Sequence, residues 1–344
     1  MEDQEILQKT LPVDLGAQAT TTPNQKQTAI QPWLMHSLSV NALNFCAFAM
    51  LSLPDSEKVP QQPDEKSQIP PSAALIAVPN ALDSGAVDLF HLPSERRVCT
   101  IPTDPAVKTG MVMAVQLTRT FSSEDLYVAA AFEDGTVMVF ACRGVFHDDK
   151  PLVGAERSWR WERLYLTKPH SQPVLSIDLA PSREYFVSSS ADAVLAKHPI
   201  PPLDGTDARE TPLKCVNTKH AGQQGLRVRS DGRIFATAGW DSRVRVYSCK
   251  TMKELAVLKW HKEGCYAVAF ADVSTTPTDA TALANITGDL PEGPNNADES
   301  AVIQHEENQS SLAQIQRQRS LKVQKTHWLV AGSKDGKISL WDIY

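Results

Sequence analysis

The sequence predicts an all-β fold of the propeller type, and three observations carry that prediction. The first is a hairpin over residues 329–344, LVAGSKDGKISLWDIY, in which two apolar and β-branched runs flank a Lys334-Asp335-Gly336 turn. It closes on a Trp-Asp pair, the residue signature of a propeller blade. The second is recurrence: an apolar strand, a second strand of small and β-branched residues, a polar turn, and a third strand ending in an aromatic. The third is a turn aspartate in each copy: Asp83, Asp134, Asp192, Asp241 and Asp335.

Taken in order, residues 1–32 are Gln/Thr-rich with few large apolar side chains and read as a flexible arm. The first copy runs over 36–92, with VNALNFCAF as its first strand, a Pro/Gln/Ser-rich insertion near 54–72, and then ALIAVPNALDSGAVDLFHL. The second, 111–140, contains LYVAAAFEDGTVMVF. The third, 170–198, is followed by an insertion near 200–214. The fourth, 219–258, is the cleanest. The fifth opens at Trp260-His261 with GCYAVAFADV, breaks for an insertion near 274–324, and resumes with the hairpin. That last insertion is acidic to polar and is expected to be disordered. Its end, 311–323, reads as a solvated return to the blade, with a short amphipathic helix as the alternative.

The turn aspartates lie further apart than a bare blade of ~40–45 residues allows, so the insertions must be subtracted. Without them and the arm, about 45 residues remain per copy for five copies. The expected domain is thus a WD40 β-propeller over 33–344, with five visible blades.

Composition narrows the function classes. Hydrophobic content of 42% and charge of 22% are those of an ordinary globular chain, and the net charge of −6 argues against direct nucleic-acid binding. Basic residues such as Arg227, Arg229, Arg233, Arg243 and Arg245 alternate along strands, as on a solvated face. Cys46, Cys99, Cys142, Cys215, Cys249 and Cys265 are scattered without a C-x-x-C pair, which speaks against structural zinc and a disulfide framework and for a reducing compartment. The N-terminus lacks a signal-peptide core. The longest apolar stretch, 40–53, is too short and too interrupted to span a bilayer.

The pattern that most resembles catalysis is a repeated His–Asp pair: His170 with Asp192, His220 with Asp241, and His261 with Asp335. A catalytic pair is needed once, whereas a pair in every blade is a fold device. The His precedes the first strand and the Asp lies between the second and third, so imidazole and carboxylate are expected to satisfy each other at one rim. Ser188 and Thr237 on second strands and Tyr247 and Trp341 on third strands would extend the network. No Walker, Rossmann, nucleophile-elbow or zincin motif occurs, so no catalytic residue and no cofactor is implied. His147-Asp148-Asp149 lacks a third metal ligand at suitable spacing. Arg317 to Ser320 resembles a basic-directed phosphorylation site, a match of a kind that chance produces often.

The remaining functional signal is the rim. Trp240 lies beside the Asp241 turn and Trp260 just before His261, with Arg243 nearby, and such residues anchor protein interfaces. Trp240, Arg243 and Trp260 are the candidate partner contacts. The competing reading is that both tryptophans merely pack between blades.

The segments HSLSVNALNFCAFAM and ALIAVPNALDSGAVDLFHLPSERRVCTI resemble middle blades of the ASTRA-associated protein 1 family, which is related to an animal G-protein β-subunit-like protein. HSQPVLSIDLAP, GRIFATAGWDSRVRVY, LAVLKWHKEGCYAVAFAD and GSKDGKISLWDIY resemble its later blades. The resemblance implies a noncatalytic nuclear scaffold (with the cytoplasm as a second compartment) in a chromatin-associated ASTRA-type complex. That complex is linked to chromatin remodelling and to chaperones maturing phosphatidylinositol-3-kinase-like kinases. Its protein subunits and those chaperones are the expected partners, with no membrane. Family members begin with two further blades that nothing in 1–31 resembles, and EILQKTLPVDL is similar to the connector after their second blade. The expectation is therefore five blades of a seven-blade ring, open or incompletely closed. Two other classes compete. One is a propeller reading a modified histone tail or other charged peptide; the other is a hydrolase, which would need a single non-repeated polar constellation.

Overall fold

In the computed structural model, the residues described are 36–41, 45–53, 73–119, 124–146, 152, 159–204, 210–273, 319, 323 and 326–343. Contacts divide the chain into units Met1–Ser37 and Leu38–Tyr344, and the strands of the described residues belong to the second. The expected arm, the 54–72 and 274–324 insertions, the His147 cluster and most of 311–323 lie outside the described residues. Among the described residues, no helix is long and apolar enough to cross a membrane.

Among the described residues, five antiparallel sheets follow one another along the chain. The first comprises β1 (Ala49–Ser52), β2 (Ala74–Pro79), β3 (Val87–Leu92) and β4 (Arg96–Ile101). The second comprises β5 (Val112–Arg119), β6 (Leu126–Phe132), β7 (Val137–Cys142) and β8 (Trp161–Thr167). The third has β9 (Val174–Leu179), β10 (Tyr185–Ser190), β11 (Val194–Pro199) and β12 (Lys214–Asn217). The fourth has β13 (Gln223–Val228), β14 (Ile234–Gly239), β15 (Arg243–Ser248) and β16 (Glu254–Lys259). The fifth has three strands, β17 (Cys265–Phe270), β18 (Trp328–Ser333) and β19 (Ile338–Asp342). Each sheet pairs its strands in chain order, and the innermost strands β1, β5, β9, β13 and β17 neighbour one another in turn. This is an incomplete propeller of five blades.

The core lies between blades, and strand alternation explains why. On β6, Leu126, Val128 and Ala130 pack toward the first blade, while Tyr127, Ala129 and Ala131 pack toward the third. On β14, Phe235 joins Val187 and Leu195 of blade 3, while Ala236 and Ala238 join Val268 and Leu329 of blade 5. A second strand thus reads as an unbroken apolar run because both of its faces are buried.

Three details differ from the sequence reading. The first strand of blade 1 is Ala49–Ser52 rather than VNALNFCAF. Ala49 and Leu51 face the first core, whereas Asn41 ahead of them directs its side-chain amide to the Asn80 carbonyl, which suits a connection rather than a ladder. The stretch expected as an insertion near 200–214 is partly structural. Ile200 and Leu203 enter the blade 2–3 core, the Leu203 N–H donates to the Tyr127 hydroxyl at 3.2 Å, and Lys214 opens β12. The outermost strands β4, β8, β12 and β16 are the third difference: partly exposed and charge-bearing, they carry no motif of their own.

Candidate functional site

The turn aspartates act alike in all five blades. Each accepts the backbone N–H two residues on: Gly85 at 3.1 Å, Thr136 at 2.9 Å, Val194 at 2.8 Å, Arg243 at 3.3 Å and Lys337 at 3.0 Å. Such side-chain-to-backbone turns leave one carboxylate oxygen for another partner. What takes it differs between blades.

In blade 3 it is the Ser171 N–H, 2.9 Å from Asp192 Oδ2, while His170 Nδ1 lies 3.2 Å from Oδ1, the oxygen that also accepts Val194. His170 Nε2 is 2.8 Å from Ser188 Oγ, which is 2.8 Å from His198 Nε2, and His198 Nδ1 is 3.1 Å from the Tyr165 hydroxyl. An ionised carboxylate only accepts, so His170 Nδ1 donates to Asp192, and with a neutral His170 ring the protons run outward in one sense. His170 donates from Nδ1, Ser188 donates to His170, His198 donates to Ser188, and Tyr165 donates to His198. Burial holds His198 neutral, its pKa pushed down to about 3. Asp192 sits below the usual carboxylate range: the donors from His170, Ser171 and Val194 outweigh the largest single influence, its own partial burial.

Asp192, His170 and Ser188 have the connectivity of a hydrolytic triad, so access decides their role. Ser188 is 0% exposed, and His198 occupies its remaining face. No substrate carbonyl can reach that hydroxyl. The constellation is a buried polar tie.

Blade 5 builds the same tie with a different serine. His261 lies 3.4 Å from Asp335 and 2.8 Å from Ser339, which accepts the Trp341 indole N–H at 2.9 Å. Ser339 belongs to the third strand, β19, not the second. Blade 4 departs from the expectation. His220 and Asp241 stand 4.0 Å apart with both side chains about two-fifths exposed, and Asp241 instead takes a bidentate Arg245 at 3.0 and 2.6 Å. The interior position is filled by Gln223, which is 0% exposed and accepts from Thr237 at 2.7 Å and Tyr247 at 3.3 Å. An amide with donors and acceptors replaces the imidazole, so His220 is free to face outward.

On the same rim lie the candidate contacts. Trp240 is 45% and Trp260 52% exposed. The Trp240 ring lies flat on Gly222, where a β-carbon would come within 2.1 Å of it, and its N–H donates to Gln224 at 3.0 Å. Trp260 meets His261 edge-on at 4.9 Å, with the Lys337 ammonium 5.8 Å from its ring. Arg243 is half-buried and bonds Ser242. Both indoles are thus fixed on one side and open on the other.

Sequence reading missed the channel mouth. Four inner strands carry a bulge near their start, leaving one residue out of register: Met113, Leu175, Gln224 and Tyr266. A bulge re-aims its extra side chain. All four line a central cavity of about 210 Å³ to which the inner strands of blades 2–5 and the segment leading into β1 contribute. Gln224 joins this ring to Trp240. Deeper in, Asp178 on β9 accepts Gln116 of β5 at 3.3 Å and the Val228 N–H of β13 at 2.7 Å. Among the described residues, no group of three or more His, Cys, Asp or Glu could hold a metal.

Stacked four-stranded blades, Asp turns and buried His–Ser ties define a WD-repeat propeller protein. The family model for the WD domain, G-beta repeat, matches residues 161–195, 213–248 and 323–342. The chain is 57% identical to ASTRA-associated protein 1 of Aspergillus niger over its whole length and 78% of that protein, and 56% identical to the one of Aspergillus flavus, covering 77% of it. It is 33% identical to ASTRA-associated protein 1 of Schizosaccharomyces pombe over 69% of this chain and 61% of that one. The chain belongs to the ASTRA-associated protein 1 family.

Proposed function

We propose that the chain is a noncatalytic scaffold subunit of a nuclear ASTRA-type protein complex, linked to chromatin remodelling and to the maturation of phosphatidylinositol-3-kinase-like kinases. The observation that carries the scaffold reading is the rim: two tryptophans held rigid by a glycine, a glutamine and a histidine, yet half exposed. Preorganised aromatics lose little entropy on docking and are the usual anchors of interfaces. The relatives' names supply the assembly, since each is called ASTRA-associated. The triad-like atoms are sealed, which supports a noncatalytic role.

The test is affinity purification of the tagged full-length chain from nuclear extract. Subunits of the assembly are expected to co-purify with the wild type and to be depleted with Trp240→Ala/Trp260→Ala at unchanged circular dichroism. Recovery of no common set of proteins by the wild type would sink the scaffold reading. A second reading, a propeller that binds a charged peptide at its central rim, is favoured by the cavity that opens beside Trp240 and Tyr266.

A further inference from the structure

The bulge residues and the rim charges meet at one place. Tyr266, 45% exposed, and Gln224 line the cavity, and Gly264 packs between the Trp240 backbone and the Tyr266 ring. Met113 and Leu175, with Phe45 and Phe48 ahead of β1, give this socket an apolar side, while Gln116, Ser176 and Arg227 line it with polar groups. Its volume is many times the ~10–15 Å³ that one water needs. Its apolar side has room for an aliphatic or aromatic side chain.

Around the socket, the rim of blades 4 and 5 is cationic, although the chain as a whole carries −6. Lys219, Arg243, Lys259, Lys262, Lys334 and Lys337 stand at the strand ends on this side, and none of them forms an ion pair among the described residues. The local acids are occupied: Asp241 by Arg245 and Asp335 by His261. Glu263 is the remaining acid of the 260–264 connection, against Lys262 beside it. Unpaired cations repel a lysine-rich tail and attract an acidic segment.

We infer that the channel mouth beside Trp240 receives a leucine or phenylalanine side chain from an acidic segment of a partner protein, with the blade 4–5 cations holding the flanking carboxylates. This rests on the charged-peptide reading and gives it a sign. The arrangement separates two tasks. Long-range attraction comes from lysines on flexible stems, and specificity comes from a socket whose wall is fixed by backbone bulges.

The test uses the full chain and a fluorescein-labelled decapeptide of aspartates and glutamates around a central Leu-Phe pair, followed by anisotropy. Saturable binding is expected, weaker by about tenfold with Trp240→Ala and by about tenfold or more with Lys262→Glu/Lys337→Glu. Trp240→Phe, which keeps an aromatic face, is expected to retain most of the affinity. Replacing the central pair by Ser-Ser should also weaken binding by about tenfold. Equal binding of the serine peptide, tighter binding of a lysine peptide, or no binding at all would overturn the inference. If the peptide fails while the tagged chain still co-purifies its assembly, only this inference falls. If co-purification fails while the peptide binds, only the scaffold reading falls.

Discussion

Val228 on β13 donates its backbone N–H to the Asp178 carboxylate on β9 at 2.7 Å, so one side chain ties the inner strands of two successive blades. Gln116 on β5 reaches the same carboxylate, bringing in a third blade. Burial pushes the Asp178 pKa up to about 6 despite the Val228 N–H and the nearby Arg227. The folded chain therefore holds this proton more firmly than the unfolded chain, where the carboxyl titrates near 3.8. The advantage is complete below the unfolded value and is lost as pH rises through about 6. Asp178→Asn, which keeps an acceptor oxygen without the charge, is expected to stabilise the protein above that pH by no more than about 3 kcal/mol, and not below pH ~4. Urea unfolding at both pH values measures the difference; a gain that does not grow with pH refutes it.

His198 acts in the opposite sense. Its folded pKa of about 3 lies below the ordinary 6.5, so in the window between them the unfolded chain takes up a proton that the folded one refuses. Its contribution is intact above 6.5 and is lost as pH falls below it. His198→Asn should flatten the acid limb of a stability–pH curve, whatever it does to stability at neutral pH. An unaltered slope would show that His198 is not the group responsible.

Ser188→Ala removes the hinge between two imidazoles, leaving His170 Nε2 and His198 Nε2 without their shared partner. A buried group stripped of its bond costs about 1–3 kcal/mol. The expected outcome is a lower urea midpoint with an unchanged slope. Thr237→Val in blade 4 should cost less, because Gln223 keeps the Tyr247 hydroxyl and Thr218.

Gly222→Ala tests the seat of Trp240. The backbone there has φ +73°, and the new methyl would occupy space within 2.1 Å of the ring. A left-handed conformation costs a non-glycine residue about 1–2 kcal/mol. The indole should leave its seat, seen as a shift in tryptophan emission, together with weaker recovery of partners. An unshifted spectrum would mean that the ring is held by Gln224 alone.

Among the described residues, blade 5 presents β19 as the outer strand of a three-stranded sheet, with Ile338 69% and Leu340 63% exposed. Bonds to β18 run through odd-numbered residues such as Lys337 and Ile343, so the backbone of Ile338, Leu340 and Asp342 faces outward. Such an edge templates further pairing. Leu340→Lys is expected to lower light scattering on concentration and to leave the thermal midpoint nearly unchanged.

The blades were legible because their signals are local and repeated. Trp341, the Asp turns and the runs of β6 and β14 each report a strand or turn from a few residues. The rim tryptophans were legible for the same reason, through their place beside those turns. Gln223 in the histidine's position was not, since its role depends on Thr237 and Tyr247 arriving from two other strands. Nor were Met113, Leu175, Gln224 and Tyr266: a bulge is a mismatch between two strands and cannot be read from either alone. Asp178 resembled any polar residue on a half-buried strand until three blades met around it.

The bulges divide the inner strands into two grammars. Residues in register answer to the ladder and the cores, where a change of one methylene disturbs neighbours in two blades. The four out-of-register residues face the cavity instead, and Gln224 among them also accepts the Trp240 indole N–H. Their identities can be rewritten while the architecture behind them stays put. The molecule thereby carries a four-letter address on a frame that does not depend on what the address says.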